Sequence, residues 1–322
     1  RGEVCYGWEV ELPPAFRCNE ERYDAIVQAL FSAVTLLPDY TVVHKQDVYM
    51  KKKYVAEKSD GLLQEAYERH FDGREYLDHR CRLFLIFSSK KNVRGASSGL
   101  LGISAGGSMP KAEALARYAA MAEQFATVVQ GCGLLEMRRL TEDDIFGAGD
   151  FPGLIQDYLN FTDEGEDVLS DIQMRRDRVR TGDRYIGCHL IADLDQLPAE
   201  VASCRKVTSL STDSSAVNLS FLNEIGQELD CEHIVNHFIL KEPQKDIHGE
   251  LDTRRRQMLS MAGRSAENRM YSEELNEFLE AAASEQMHTV RFHINVLAGG
   301  PAEEYEAVKD KVVSAVSRMG VT

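Results

Sequence analysis

TVRFHINV (Thr289–Val296) alternates strictly: Val290, Phe292, Ile294 and Val296 are apolar, while Thr289, Arg291, His293 and Asn295 between them are polar. A period of two puts the four apolar side chains on one side of a strand, so this stretch demands a sheet with one covered face. Downstream, Pro301 is placed to open a helix whose Tyr305, Val308, Val312, Ala315 and Met319 share one side, with Gly320 to end it. Upstream, residues 244–285 read as helical, broken near Gly263 or Ser272. Before them, Arg184–Asp193, Val217–Leu222 and Glu232–Leu240 read as strands. The strand that should follow the last helix has no room before Thr322. This half is therefore expected to be cut short, with an open sheet edge where that strand belongs.

The N-terminal half gives a similar order. Val4–Leu12 reads as a strand stopped by Pro13-Pro14. Asn19 offers an N-cap to a helix carrying Tyr23, Ile26, Val27, Leu30, Val34 and Leu37 at helical spacing. Tyr40–Lys52 is a long strand, Leu62–His70 a short helix, and Arg82–Ser88 an apolar run expected to be covered on both faces. After a Gly/Ser-rich loop at Arg94–Met109, Pro110 opens a helix with Leu115, Tyr118, Ala122, Phe125 and Val129, and Leu134–Leu140 returns as a strand. The expectation is an α+β fold of two ferredoxin-like (split βαβ) halves, with mixed or antiparallel sheets and helices packed on one face. The first subdomain would span residues 1–160 and the second 184–322. The dense charges of Asp163–Asp167 and Arg175–Arg180 mark a linker over 161–183.

Composition removes several functions. Of 322 residues, 43% are hydrophobic and 28% charged, enough for a packed core. With 37 Lys and Arg against 52 Asp and Glu the net charge is −15, which repels phosphate backbones and makes direct DNA binding unexpected. The basic clusters Lys51–Lys53, Arg175–Arg180 and Arg254–Arg256 read as solvated faces. Seven cysteines without a CxxC pair suit reduced thiols and a cytoplasmic setting, and no apolar run is long enough for a transmembrane helix. No Gly-Lys-Ser or Gly-Lys-Thr of a phosphate loop and no G-x-S-x-G elbow occurs. Cys231, His233 and His237 would share one face of a strand but lack a fourth ligand. No catalytic residue, cofactor or metal is therefore expected.

LLPDYTVVHKQDVYM (Leu36–Met50) resembles the N-terminal region of the TraG proteins of Bacteroides conjugative transposons, the conjugation ATPases of type IV secretion systems. Further blocks follow in order: ERHFDGREYLDHRCRLFL (Glu68–Leu85), RRLTEDDI (Arg138–Ile145), GDRYIGCHLIADLDQLP (Gly182–Pro198), LSTDSS (Leu210–Ser215) and VRFHINVLA (Val290–Ala298). The resemblance implies a non-catalytic domain ahead of a RecA-like motor whose Walker motifs would lie beyond Thr322. It also implies docking, peripheral to the inner membrane through protein contacts with other conjugation-apparatus proteins, and self-association as a further option. His44, Lys45, Gln46 and Asp47 match a family motif, for which a structural or docking role is expected. The glycine-rich loop departs from the family pattern and takes no role. Two other classes stay open: a stand-alone cytosolic enzyme with an unrecognised pocket, and a DNA-contacting module whose basic clusters converge.

Overall fold

The computed structural model describes residues 3–58, 61–89, 111–148, 153–161, 171–190, 201–213, 215–285 and 287–318. The expected loop at 94–109 lies outside the described residues, as do part of the expected linker and the last four residues. In chain order the elements are β1 (Val4–Glu11), α1 (Glu20–Leu36), β2 (Thr41–Lys53), α2 (Leu62–Phe71), β3 (Glu75–Phe87), α3 (Ala112–Gln130) and β4 (Glu136–Arg139). Then come α4 (Glu142–Phe146), α5 (Leu154–Asn160), β5 (Ile172–Met174), β6 (Val179–Thr181), β7 (Arg184–Leu190), β8 (Arg205–Lys206) and β9 (Asn218–Leu219). The chain continues with α6 (Asn223–Glu228), β10 (Glu232–Lys241), α7 (Gln244–Met261), α8 (Ala266–Ser284), β11 (Arg291–Pro301) and α9 (Tyr305–Arg318).

Local chemistry sets several boundaries. The Asn19 side chain accepts from the Arg22 amide at 3.2 Å, and Glu20 and Glu21 favour the positive end of α1. Thr141 and Asp144 form a reciprocal capping box at α4. The long helical region breaks at Gly263, after which the Ser265 side chain caps α8.

The fold is α+β. Among the described residues nine strands form one sheet in the order β4-β1-β3-β2-β10-β11-β7-β6-β5, and every neighbouring pair is antiparallel. The first four, with α1 after β1 and α3 after β3, follow the interleaved order of a split βαβ unit. In the second half β10-β11-β7 repeats the order β2-β3-β1. The two sets meet through β2 and β10, in register from Thr41 opposite Lys241 to Tyr49 opposite His233. Helices cover one face. Trp8, Val43, Leu83, Leu85 and Phe87 pack against Ala33 and Leu37 of the α1 region and Ala122, Phe125 and Val129 of α3. Val235, Val296 and Ala298 pack against α6 and against Val308, Val312 and Ala315 of α9. The opposite face carries α5, beside which Phe161 joins Val48, Met50, Ile186 and Ile234.

Four expectations need correction. Residues 172–181 are not linker: β5 and β6 form a hairpin at the sheet edge, because β6 finds an unpaired neighbour in β7. The same hairpin fills the expected gap, since Val179–Thr181 pairs with Arg184–Ile186 on the side where an open edge was predicted. Pro301 does not open a helix; it ends β11 opposite Arg184, a strand end being a position that tolerates its missing donor, and α9 starts at Tyr305. β3 is covered on both faces only in part: Phe84 and Ile86 are half-buried, whereas Leu83, Leu85 and Phe87 are buried.

Candidate functional site

β2 is an inner strand, held by β3 on one side and β10 on the other, so the four motif residues His44–Asp47 lie at the joint between the two halves. Strand alternation divides them. His44 and Gln46 point to the α5 face, and Lys45 and Asp47 to the helix face. Gln46 and Asp47 are buried, at 1% and 3% exposure.

On the α5 face Gln46 stands in register between Arg82 of β3 and Asn236 of β10. Three polar side chains in a row on a sheet require partners, and α5 supplies them. Arg82 Nη2 donates to Asp157 Oδ2 at 2.7 Å, and its Nη1 donates to Gln46 Oε1 at 3.3 Å. The Gln46 amide donates to the Tyr158 hydroxyl and to Asn236 Oδ1, the latter at 3.4 Å. Asn236 Nδ2 in turn donates to Asn295 Oδ1 of β11 at 2.9 Å. Asp157 is fully buried, with Arg80 Nη2 3.7 Å from its second oxygen. Burial pushes the Tyr158 phenol up to about 12, so it stays protonated. His44 is sandwiched between Phe84 and Phe238, at 5.3 and 4.0 Å between ring centroids. Burial lowers its pKa, which keeps the ring neutral at pH 7, and Nε2 lies 2.8 Å from Asn236 Oδ1.

On the helix face the Asp47 carboxylate accepts from Lys45 Nζ and, at 3.0 Å, from His79 Nε2. Burial opposes its charge, but Lys45 and His79 outweigh it and hold the carboxyl well below the usual range. Tyr49 stacks between His79 and His233, each 4.4 Å away between centroids. A Cβ on Gly226 would sit 2.1 Å from the Tyr49 hydroxyl, so α6 needs glycine to pass over this ring. Cys81 beside Asp47 is buried, which pushes its thiol up to about 12 and leaves it a poor nucleophile.

His233 and His237 of the Cys231, His233 and His237 set share one face of β10, while Cys231 precedes the strand. Cys231 is packed into the core under α6 and α9. His233 donates from Nδ1 to the Cys231 carbonyl at 2.8 Å, its Nε2 has no hydrogen-bond partner among the described residues, and burial lowers its pKa to about 4. Burial lowers His237 to about 4 as well. Among the described residues no three His, Cys, Asp or Glu side chains are grouped to hold a metal ion.

A second contact ties the halves together. Lys241 at the end of β10 donates from Nζ to the carbonyls of Val34, Thr35 and Leu37 at 3.2, 2.6 and 2.6 Å. It thus satisfies the free C-terminal end of α1 across the joint. Tyr40, at φ 65°, donates its amide to the Lys241 carbonyl at 2.6 Å, which holds that unusual backbone conformation.

Sequence reasoning found His44–Asp47 but missed Arg82, Asp157, Tyr158, Asn236 and Lys241. One of these was signalled, because Arg82 opens an otherwise apolar run (RLFLIF), whereas Asn236 lies between His233 and His237 and does not stand out. The basic clusters do not converge. Lys51–Lys53 end β2, Arg175–Arg180 form the hairpin at the far sheet edge, and Arg254–Arg256 lie on α7, where Asp252 pairs with Arg255 and Arg256. Among the described residues no helix is long and apolar enough to cross a membrane. Neither a protein-family model nor a curated protein sequence matches the chain.

Proposed function

We propose that this chain is the non-catalytic N-terminal region of a conjugation ATPase of the type IV secretion kind, a scaffold that docks the motor to the inner-membrane DNA-transfer machinery. The ordered series of resembling blocks carries this reading. Five of the six blocks overlap the framework of the sheet: Leu36–Met50 runs into β2, Glu68–Leu85 into β3, Arg138–Ile145 spans β4 and α4, Gly182–Pro198 takes in β7, and Val290–Ala298 runs into β11, whereas the described residues of Leu210–Ser215 lie on no strand. A scaffold role also suits a central motif whose buried Gln46 and Asp47 are held by internal partners, because such side chains have little to offer a substrate. Of the two roles expected for His44–Asp47, this placement favours the structural one.

The coding sequence downstream of the Thr322 codon supplies the test. The reading expects a GxxxxGK[ST] motif there and ATPase activity in the longer product, with no micromolar ATP binding by residues 1–322 in calorimetry. A reading frame that stops near Thr322, or tight ATP binding by this chain alone, overturns it.

A further inference from the structure

β3 is longer than the strand beside it. β1 pairs with β3 from Phe87 only as far as Cys81, opposite Val10, and then leaves the sheet through Pro13-Pro14. From Arg80 back to Glu75, β3 is paired with β2 alone, and no strand among the described residues takes its other side. Every second residue of such an edge turns its N–H and C=O outward. An open cleft of about 780 Å³ lies where β1 leaves the sheet, lined by Val10, Glu11, His79, Arg80, Glu136 and Arg138 among others, and it meets β3 at His79–Cys81, the inner end of this edge.

The charges around the cleft select an occupant. Glu11 and Glu136 stand directly opposite each other at the end of the β1–β4 ladder, an arrangement in which like charges repel. Both are exposed, and among the described residues neither has a cation at ion-pair distance. The cleft's own arginines are engaged elsewhere, Arg138 with Glu9 and Asp144, Arg80 with Asp78 and Asp157. The other edge of the same ribbon carries Lys51–Lys53, a row of lysines of the kind that blunts an edge against pairing. The β3 edge carries no lysine.

We infer that the Glu75–Arg80 edge of β3 is a groove for an extended basic segment of a partner protein. The segment adds as a strand in the line of β1, its backbone completing the ladder of β3 and its Lys or Arg side chains lying between Glu11 and Glu136. The net charge of −15 steers such a segment inward. The same charge opposes a second copy of this chain, whose own glutamates would meet Glu11 and Glu136, and it opposes nucleic acid. This inference is independent of the conjugation reading, since a chain with any other role would present the same edge.

Fluorescence anisotropy with labelled short peptides tests it on the whole chain. A peptide alternating lysine with valine should bind, whereas one alternating glutamate with valine should not. A lysine–valine peptide N-methylated at alternate residues keeps its charge but cannot pair, and should also fail. The double variant E11Q/E136Q, at exposed positions where the change relieves repulsion, should weaken binding about tenfold, the effect of losing two rim charge contacts. Hydrogen exchange should slow at residues 75–80 when the peptide is bound. No binding up to about 1 mM overturns the proposal, as does equal binding of the N-methylated peptide or an unchanged affinity of E11Q/E136Q.

Discussion

Asp157 shows what the polar joint asks of single residues. Its carboxylate is fully buried, and its direct partner Arg82 is itself buried at 5% exposure. Removing one member of such a pair strands the other charge, at a cost of about 3–5 kcal/mol. Asp157→Asn should therefore destabilise the protein by that order in urea unfolding. The double variant R82M/D157L should recover much of the loss, because both charges of the pair are removed and Arg80 keeps its second partner, Asp78. A cost below about 1 kcal/mol for Asp157→Asn would mean that the pair is not desolvated. Buried His233 and half-buried His237 contribute to the pH response. His233 and His237 have folded pKa values of about 4, against roughly 6.5 in an unfolded chain. The unfolded state binds the extra protons, so stability is intact above pH 6.5 and falls as the pH drops toward 4, by up to roughly 3 kcal/mol for each ring. Asp47, held low, adds a further loss as the pH falls below the ordinary carboxylate range. Thermal melts between pH 7.5 and 4.5 should follow that course, with a shallower slope in His237→Asn. An unchanged slope in that variant would remove His237 from the account.

At the scale of elements, α7 and α8 differ from the helices that cover the sheet. They pack on each other, and Ile247 is the buried apolar side chain of α7. The base of the pair is fastened by Gln244, whose amide donates to the Thr289 carbonyl and accepts from the Thr289 amide, both at 2.8 Å. Arg291 adds ion pairs to Glu242 and, on α7, Glu250. Elements with so little buried apolar contact open locally at low free energy. Amides of α7 and α8 should therefore exchange well before those of β2 and β10, and Gln244→Ala should speed α7 further. Simultaneous exchange of α7, α8 and the central strands would show that the helical pair is part of the cooperative core.

The whole molecule is tied together at the β2–β10 ladder, where Val48 and Ile234 face each other with no exposure. Ile234→Ala should cost about 2–5 kcal/mol, the usual range for a large-to-small change in a packed core. Trp8 is the single tryptophan and lies in the first-half core, while Ile234 belongs to the second half. If the nine strands unfold as one unit, Trp8 fluorescence and far-ultraviolet circular dichroism should shift together to lower urea in this variant. A Trp8 transition that stays in place would show two independently folding halves. The continuous ladder and the Lys241 cap on α1 both favour the single unit.

The strands and helices were legible because their periodicity is local. Val290–Val296 alternates, although only Ile294 and Val296 of its four apolar side chains are buried and Phe292 is exposed, α1 and α3 carry apolar stripes, and Asn19 caps α1 as short-range chemistry requires. The acidic balance and the missing phosphate loop were legible for the same reason, since each is a property of composition or of adjacent residues. Pairing between distant segments was not. The Gly182-Asp183 turn is a local signal for pairing Val179–Thr181 with Arg184–Ile186, but nothing in either run shows that the hairpin will lie beside β11 and close the edge of the long sheet. Nor can spacing show that Gln46, Arg82, Asp157 and Asn236, far apart along the chain, meet in one network. Burying a charge such as that of Asp157 depends on what folds over it, and here the cover is a seven-residue helix with no distinctive sequence. Local periodicity therefore determined which segments become strand and helix. Only the tertiary structure decided which edges pair, which charges are buried, and that the two halves form one sheet, because those outcomes depend on contacts between residues that the sequence keeps apart.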